Sequence, residues 1–559
     1  MGWNCFVHGG SGSHKANSRG SRLSQSKGSY LVLTAMIFAV SMTFIDQTIV
    51  SISVPEIQKE LSLSSTGVQW IVSGYLLSMA AFFAFGGKIA DVYGRRRMLV
   101  AGILIFAISS ALCGATPKGD LAEAWIIFFR VIQGVGAAIM FPAALAITIS
   151  AFPIETRGRA MALFFGITGA LTSVGPIAGG YLTEWTWRSI FWINIPIALI
   201  SLFLIWKSKP ENRKNPQPLD YRGAVLIALG MGLAVLGLQQ SAIWGWTDPK
   251  TIGSIAAGVA LLVGFFIFEN RQKFPLMRVS IFRERAFLAD NLVLFALSIA
   301  FVPLFFFASM YSQISLGWQA SDAGIYLLIF FGGFAVASQW GGRILDSRGA
   351  KPAVLIGCVV AAVGFFLWAQ QMTDLGAGVG GQWIYMVMAG AGIGLILGPV
   401  STDAINRAPN TSYGEATGIT QTVRNFAAAF GLAVLGTILT TRNRINVENA
   451  LEVAPLKFTR EQADAVAQSL TEAGGGDQGA AAAHLGSKID AEVFHDLQGA
   501  FAQSTQTVFY IMAGVMAVAY VVAHIWMVKG KMVEVFDDPD DLDVASDAVD
   551  AGSGDPPKP

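Results

Sequence analysis

Charge is what this chain has least of. Only 13% of its 559 residues are Asp, Glu, Lys or Arg, against about 25% in an ordinary soluble domain, while 53% are hydrophobic. So few charges cannot give polar surfaces to the three or four soluble domains that such a length would form. The formal net charge of +1 leaves no basic field to hold a polyanion. Cysteine is nearly missing. Cys5, Cys113 and Cys358 are an odd set, two of them in apolar runs, and read as reduced thiols. A soluble enzyme, a secreted disulfide scaffold and a nucleic-acid binder are excluded on these grounds.

Several motifs are missing too. No Walker A pattern occurs, so the chain is not expected to hydrolyse ATP. No His-Glu-x-x-His, Cys/His ligand cluster or Gly-x-Ser-x-Gly is present, so neither an enzyme activity nor a metal is expected. The two Gly-x-Gly-x-x-Gly matches, at Gly376 and Gly474, lie in polar loops with no strand before them and are discounted. No cofactor is called for.

What the sequence has in abundance is long apolar runs. Fourteen are present, at approximately 31–54, 68–86, 98–115, 125–149, 160–182, 189–206, 223–244, 251–268, 287–310, 323–340, 353–371, 383–405, 416–440 and 506–528. Each is long enough to cross a bilayer as a helix that satisfies its own backbone. None alternates with period two, so a barrel is excluded. If residue 1 starts inside, 27 of the 38 Lys and Arg residues fall on the inner side and 9 on the outer, with Arg130 and Arg424 inside spans. That excess places both termini in the cytoplasm. Residues 1–29 read as a disordered tail, and the acidic stretch 529–559 as another. Residues 441–505 read as a long outer loop, with a capping pattern at Thr459 and Gln462.

The chain also repeats itself. Gly-Gly-Lys-Ile-Ala-Asp-Val-Tyr-Gly at 86–94 returns as Gly-Gly-Arg-Ile-Leu-Asp-Ser-Arg-Gly at 341–349, 255 residues later. Each copy follows the second span of its half. Residues 30–206 and 286–528 therefore read as two six-helix bundles, and 207–285 as an inserted two-helix hairpin with its linkers. Parallel repeats about an axis along the membrane normal are a transporter plan.

Five stretches carry a family resemblance. The loop Gly87-Lys-Ile-Ala-Asp91-Val-Tyr-Gly94-Arg95-Arg-Arg97 resembles the signature loop of the major facilitator superfamily. Phe44-Ile-Asp46-Gln-Thr-Ile-Val50, Arg130-Val-Ile-Gln133-Gly-Val-Gly-Ala-Ala138 and Gly169-Ala-Leu-Thr-Ser-Val-Gly175-Pro176-Ile-Ala-Gly179-Gly180 are similar to its first-, fourth- and fifth-span exporter motifs. Trp187-Arg-Ser-Ile-Phe-Trp-Ile-Asn194-Ile-Pro196 fits the same group. Together they resemble the fourteen-span drug:proton antiporter-2 family over about residues 30–530. The resemblance implies an all-helical major facilitator fold in the cell membrane. It also implies efflux of lipophilic, often cationic compounds in exchange for protons. Expected partners are a small lipophilic substrate, protons and the bilayer, with no nucleic acid, and the chain is expected to be a monomer. The alternatives are an exporter of one cellular metabolite, such as a siderophore, a lipid precursor or an antibiotic, and a sensor that kept the fold.

The candidate residues follow from cost. An Asp at the bilayer centre costs about 2.5–3.5 kcal/mol on insertion scales, so Asp46 calls for a partner, a wet cavity or a proton. A carboxylate that can hold a proton or a cation, but not both, is the simplest antiport device; a structural hydrogen bond is the plain alternative. Asp46 lies six residues before Ile52 and Arg130 five after Trp125, so both sit about 8–9 Å below the outer boundary. They are expected to pair, unless Arg130 snorkels to the interface. Arg424 should face the interior, either at a substrate or carboxylate or as a brace. Asp91, Gly94 and Arg95, with Asp346, Arg348 and Gly349 in the second copy, suit a cytoplasmic latch between the halves. Gly169, Gly175, Pro176, Gly179 and Gly180 suit either an antiporter hinge or close helix packing. Asp290 and Asp403 read as hydrated helix ends, although Asp403 could reach a basic partner. Phe305, Phe306, Phe307 and Tyr311 are candidates for a cavity wall.

Overall fold

The computed structural model describes residues 13–152, 160, 163–164, 167–168, 171, 174–212, 214, 218–408, 413–453 and 491–530. Gly169, the Thr459–Gln462 pattern and the acidic tail fall outside them.

Regular structure among the described residues is helical throughout. In chain order the helices are α1 (Ser13–Leu61), α2 (Ser65–Tyr93), α3 (Arg95–Gly114), α4 (Ala122–Ser150) and α5 (Val174–Trp185). Next come α6 (Ser189–Ser208), interrupted at Ile193, α7 (Tyr221–Trp244), α8 (Pro249–Glu269) and α9 (Arg285–Ile314). The last are α10 (Ala320–Arg348), α11 (Ala350–Gln371), α12 (Gly378–Asn406), α13 (Tyr413–Val453) and α14 (Ala491–Trp526). All but α5 are long and apolar enough to cross a membrane, 13 in all, and α5 is the described end of the fifth expected span.

Local chemistry sets several ends. Ser64 caps α2 by accepting from the Gly67 N–H at 2.9 Å. Glu123, in the first turn of α4, accepts from both the N–H and the hydroxyl of Ser64 at 3.0 Å, which ties the two helix starts together. Asp248 caps α8 and Pro249 opens it. Gly94 and Gly349 close α2 and α10 with φ of 109° and 85°, a backbone region that side chains disfavour. The repeated loop thus keeps its last glycine for a turn.

The packing repeats as the sequence does. In the first half α1 packs on α4, α5 and α6, and α4 packs on α2 and α3. In the second half α9 packs on α12, α13 and α14, and α12 packs on α10 and α11. Every pair is moved on by eight helices. The halves meet along α2–α13, α5–α10 and α1–α9, which a two-fold axis through the middle would exchange or keep. The hairpin α7–α8 sits outside the α2–α13 seam. Gln239 of α7 donates to Ser73 of α2 at 2.8 Å, and Thr437 of α13 donates to the Leu238 carbonyl at 2.9 Å. Only 17% of the α8 apolar window is buried by protein, so α8 is the outermost helix.

The start of α1 and the end of α14 lie at one end of the bundle, the terminal face. There Lys351 donates to the carbonyls of His524 and Met527, and Arg285 to that of Ile525. The hydrogen bonds and close contacts that join the halves among the described residues lie elsewhere. Gln313 of α9 donates to the Ile52 carbonyl at 3.1 Å, near the far face. Gly180 of α5 abuts Ser321 of α10, also near the far face. Thr422 of α13 reaches the Ala80 carbonyl at 3.2 Å, at mid-depth.

Three expectations change. The tail expected to be disordered over 1–29 is helical from Ser13, since no proline lies between Ser13 and Pro55 and extending a formed helix is cheap. The loop expected over 441–505 is shorter, because α13 runs on to Val453 and α14 begins at Ala491. These extra turns pack on one another through buried Val447, Leu451, Val493 and Leu497, and Asn446 donates to Ser504 at 2.9 Å. An amphipathic extension of this kind is invisible to a count of uninterrupted apolar residues. Finally, Asp290 and Asp403 are not hydrated helix ends but are 1% and 3% exposed. Arg407 donates to Asp403 at 2.7 Å, and the Asp290 carboxyl touches that of Asp403.

Candidate functional site

The polar centre of the first half is built by three helices. α1 supplies Asp46. α4 supplies Arg130 and Gln133, three residues apart and so on one helical face. α2 supplies the Ile71 carbonyl and the Tyr75 ring. Arg130 Nη1 donates to Asp46 Oδ2 at 2.6 Å and to Gln133 Oε1 at 2.8 Å, and its Nε donates to the Ile71 carbonyl at 2.8 Å. Gln133 Nε2 donates to Asp46 Oδ1 at 2.9 Å. The guanidinium carbon stands 4.4 Å from the centre of the Tyr75 ring. Both ionised side chains are fully enclosed, at 0% and 1% exposure.

This geometry is what a buried ion pair requires. Taking each ion out of water costs several kcal/mol, which close contact offsets only when the remaining lone pairs and protons are also met. Here both carboxylate oxygens have donors, and Gln133 bonds to both members of the pair. The expected Asp46–Arg130 pairing is present, and Arg130 does not snorkel. Asp46 lies inside the first bundle rather than on an open cavity wall. Gln133 was not singled out in the sequence, although it stands within the fourth-span motif at the one spacing that puts it beside Arg130.

Arg424 does not join this centre. It lies in α13 and donates from Nη1 to Gln421 Oε1 at 2.8 Å, while its Nε has no acceptor. Among the described residues no ion pair includes it.

The latch residues pair within one half. Arg95 at the start of α3 donates to Asp91 of α2 at 2.9 Å across the Gly94 turn, and Asp346 and Arg348 of the second copy are exposed. No described ion pair crosses from this loop to the other half. The fifth-span glycines are points of close approach. Gly175 abuts Thr48 and Gly179 abuts Ile49, both of α1. On the other side Gly180 and the Pro176 carbonyl meet α10 at Ser321 and Gly324. One short segment is thus pressed against its own half and against the other. The candidate cavity-wall aromatics are buried, and Phe306 lines a small cavity with Gln69 and Met310. Phe305, Phe306, Phe307 and Tyr311 are each at most 2% exposed, and Phe305 stacks on Phe331 at 5.2 Å.

The tryptophan–arginine motif has a structural task that the sequence did not reveal. Trp187 and Arg188 both donate to Glu60 of α1, at 2.8 and 3.2 Å, and Arg188 also holds the carbonyls of Gly114 and Thr116 after α3. Asn194 donates to Ser110, whose hydroxyl donates to the Phe191 carbonyl exposed by the break in α6. The motif clamps the far ends of α1, α3 and α6.

The paired bundles with their repeated loop agree with the comparisons. The chain matches the family model of the Major Facilitator Superfamily over residues 36–432. It belongs to that superfamily. It is 32% identical over 413 residues to the tetracenomycin C resistance and export protein of Streptomyces glaucescens, covering 73% of this chain and 76% of that one. It is 30% identical over 440 residues to the multidrug resistance protein Stp of Mycobacterium tuberculosis, covering 76% and 78%. The structure of the xylose transporter XylE from E. coli, in a partially occluded inward open conformation, superposes with a TM-score of 0.57 at 13% identity, over 91% of this chain and all of that one. That likeness shows the shared fold. The chain is thus a multi-pass membrane member of the superfamily.

Proposed function

We propose that this protein exports small lipophilic compounds across the cell membrane in exchange for protons, by alternating access of the two halves. The observation that carries the reading is the enclosed Asp46–Arg130–Gln133 centre, an intramembrane acid held by an ion pair in a superfamily member. The names of the relatives support export, one of a single antibiotic and one of many drugs. The Lys and Arg distribution supports cytoplasmic termini, which makes the terminal face the inner side. The described contacts between halves then lie from mid-depth to the outer side, which supports a state closed outward.

Coupling follows from the chemistry of the pair. A proton on Asp46 removes its charge and turns one acceptor oxygen into a donor. The bonds to Arg130 and Gln133 weaken, and α1 is freed from α4. Because α1 also carries the Gly175 and Gly179 contacts to α5, a shift of α1 reaches the α5–α10 seam. The proton gradient supplies the drive, about 2.3 kcal/mol per charge per 100 mV in addition to the pH difference. No cofactor takes part in this scheme.

Dye accumulation in cells expressing wild type or Asp46→Asn tests the reading, together with proton release from energised everted vesicles when substrate is added. Wild type should lower accumulation and move protons, and Asp46→Asn should do neither. Equal exclusion of the dye by both would overturn the mechanism.

A further inference from the structure

The polar face of α13 has no counterpart in the mechanism above. Thr417, Thr420, Gln421 and Arg424 follow the i, i+3, i+4, i+7 spacing of a single helical face. They cover about 10 Å of the helix. Thr437, which bonds to α7 on the outside of the seam, lies sixteen residues beyond Gln421, or roughly 160° around the helix. The four side chains therefore point inward.

Beyond the Arg424–Gln421 bond, much of their hydrogen-bonding capacity is unused. Thr417 and Thr420 are each 2% exposed, and among the described residues neither hydroxyl has a partner. The Nε of Arg424 is enclosed and without an acceptor. A serine or threonine in a membrane helix ordinarily bonds to the carbonyl four residues back. Thr437, Thr440 and Thr441 of this same helix do so. Two orphaned hydroxyls and an orphaned guanidinium N–H on one face are thus a departure within α13 itself.

The charges decide what the face fits. Asp46 is neutralised by Arg130 and shielded by Gln133, so it offers no free carboxylate. Asp290 and Asp403 lie five residues into α9 and three from the end of α12, while Arg424 lies eleven residues into α13. At 1.5 Å per residue they are roughly 9–12 Å nearer the terminal face. Arg407 and Asp403 are engaged with each other there. The uncompensated charge at mid-depth is positive.

We propose that this face is a subsite for an anionic oxygen group of the exported compound, a carboxylate, sulfonate or phenolate, held by Arg424 with Thr417 and Thr420 as further donors. A planar guanidinium suits such oxygens, and an enclosed cation without an acid is stabilised by a ligand that brings one. The proposal rests on the exporter reading, and it narrows the substrate from lipophilic to lipophilic and acidic.

Two probes with one ring system separate the possibilities: pyrenebutyrate and pyrenebutyltrimethylammonium. Binding to the purified full-length protein is read by pyrene fluorescence, and movement is read in proteoliposomes with an imposed pH gradient. Pyrenebutyrate affinity should fall about tenfold or more in Arg424→Gln, and roughly two- to fivefold in Thr420→Val. Arg424→Lys should recover part of it. The trimethylammonium probe should bind Arg424→Gln at least as well as wild type. Equal losses for both probes would assign Arg424 a bracing role and overturn the proposal, as would pyrenebutyrate binding that ignores Arg424. If wild type moves the cation along the gradient while pyrenebutyrate binding is independent of Arg424, the subsite falls and the exporter stands. If pyrenebutyrate binding depends on Arg424 but the gradient moves neither probe, the exporter reading falls and the subsite stands.

Discussion

The two halves share one packing plan and differ in what they hold inside it. α1, α2 and α4 enclose an arginine whose carboxylate, amide and carbonyl partners are all in place. α13 carries an arginine whose described partner is one glutamine, flanked by hydroxyls with nothing to bond. The repeat spacing of 255 residues carries Asp46 onto Phe301 and Arg130 onto Tyr385. Phe301 packs against Phe334 of α10 at 5.8 Å, so an aromatic side chain stands where the first half has the acid. Symmetry of backbone thus coexists with asymmetry of charge. The Asp46–Arg130–Gln133 set is satisfied without a ligand, and the Thr417–Thr420–Arg424 face is not.

Stability measurements on purified protein can break that comparison. Arg130→Ala should have the largest effect, about 3–5 kcal/mol, because it leaves Asp46 enclosed and unpaired. Thermal unfolding in detergent would show it, and adding Asp46→Asn should restore part of the loss. No recovery would mean that Arg130 acts through packing on Tyr75 rather than charge.

Gln133→Leu should cost about 1–3 kcal/mol, since Asp46 Oδ1 and Arg130 each lose a partner. A neutral result would show that the ion pair needs no third member.

Gly94→Ala and Gly349→Ala test the part that the halves share. Each forces a side chain into positive φ, at about 1–3 kcal/mol. At Gly94 an added carbon would also stand 2.5 Å from Asn212 Oδ1, so that side chain must move aside.

The smallest effect sharpens the contrast most. Arg424→Gln should change stability by no more than about 1 kcal/mol, or raise it, since the charge removed has no acid partner. A loss comparable to that of Arg130→Ala would reveal a missed anchor and erase the difference between the halves.

Much of this was legible in advance because membrane chemistry leaves few choices. A backbone in lipid must be helical, so the apolar runs already gave the spans. The pairing of Asp46 with Arg130 was also legible, although the arithmetic behind it used the wrong helix end. α1 continues past Ile52 to Leu61, yet the two residues still meet. Two opposite charges that are costly alone, on neighbouring helices at similar depth, have few other solutions. The burial of Asp290 and Asp403 was not legible, because closeness to a helix end does not say whether water or protein covers it. Nor were the roles of Glu60 and Arg188, which are 128 residues apart and meet only when α1 and α6 are packed.

The sequence alone determined composition, span number, the doubling of the bundle and the scarcity of interior charge, since each depends on local pattern and transfer cost. The tertiary structure decided which charges are satisfied. Whether a buried polar atom has a partner depends on angstrom-scale placement of helices far apart in the chain, and no local pattern records it. That is why Asp46, Arg130 and Arg424 stand out equally in the sequence, while only the packed bundle separates the closed pair from the open arginine.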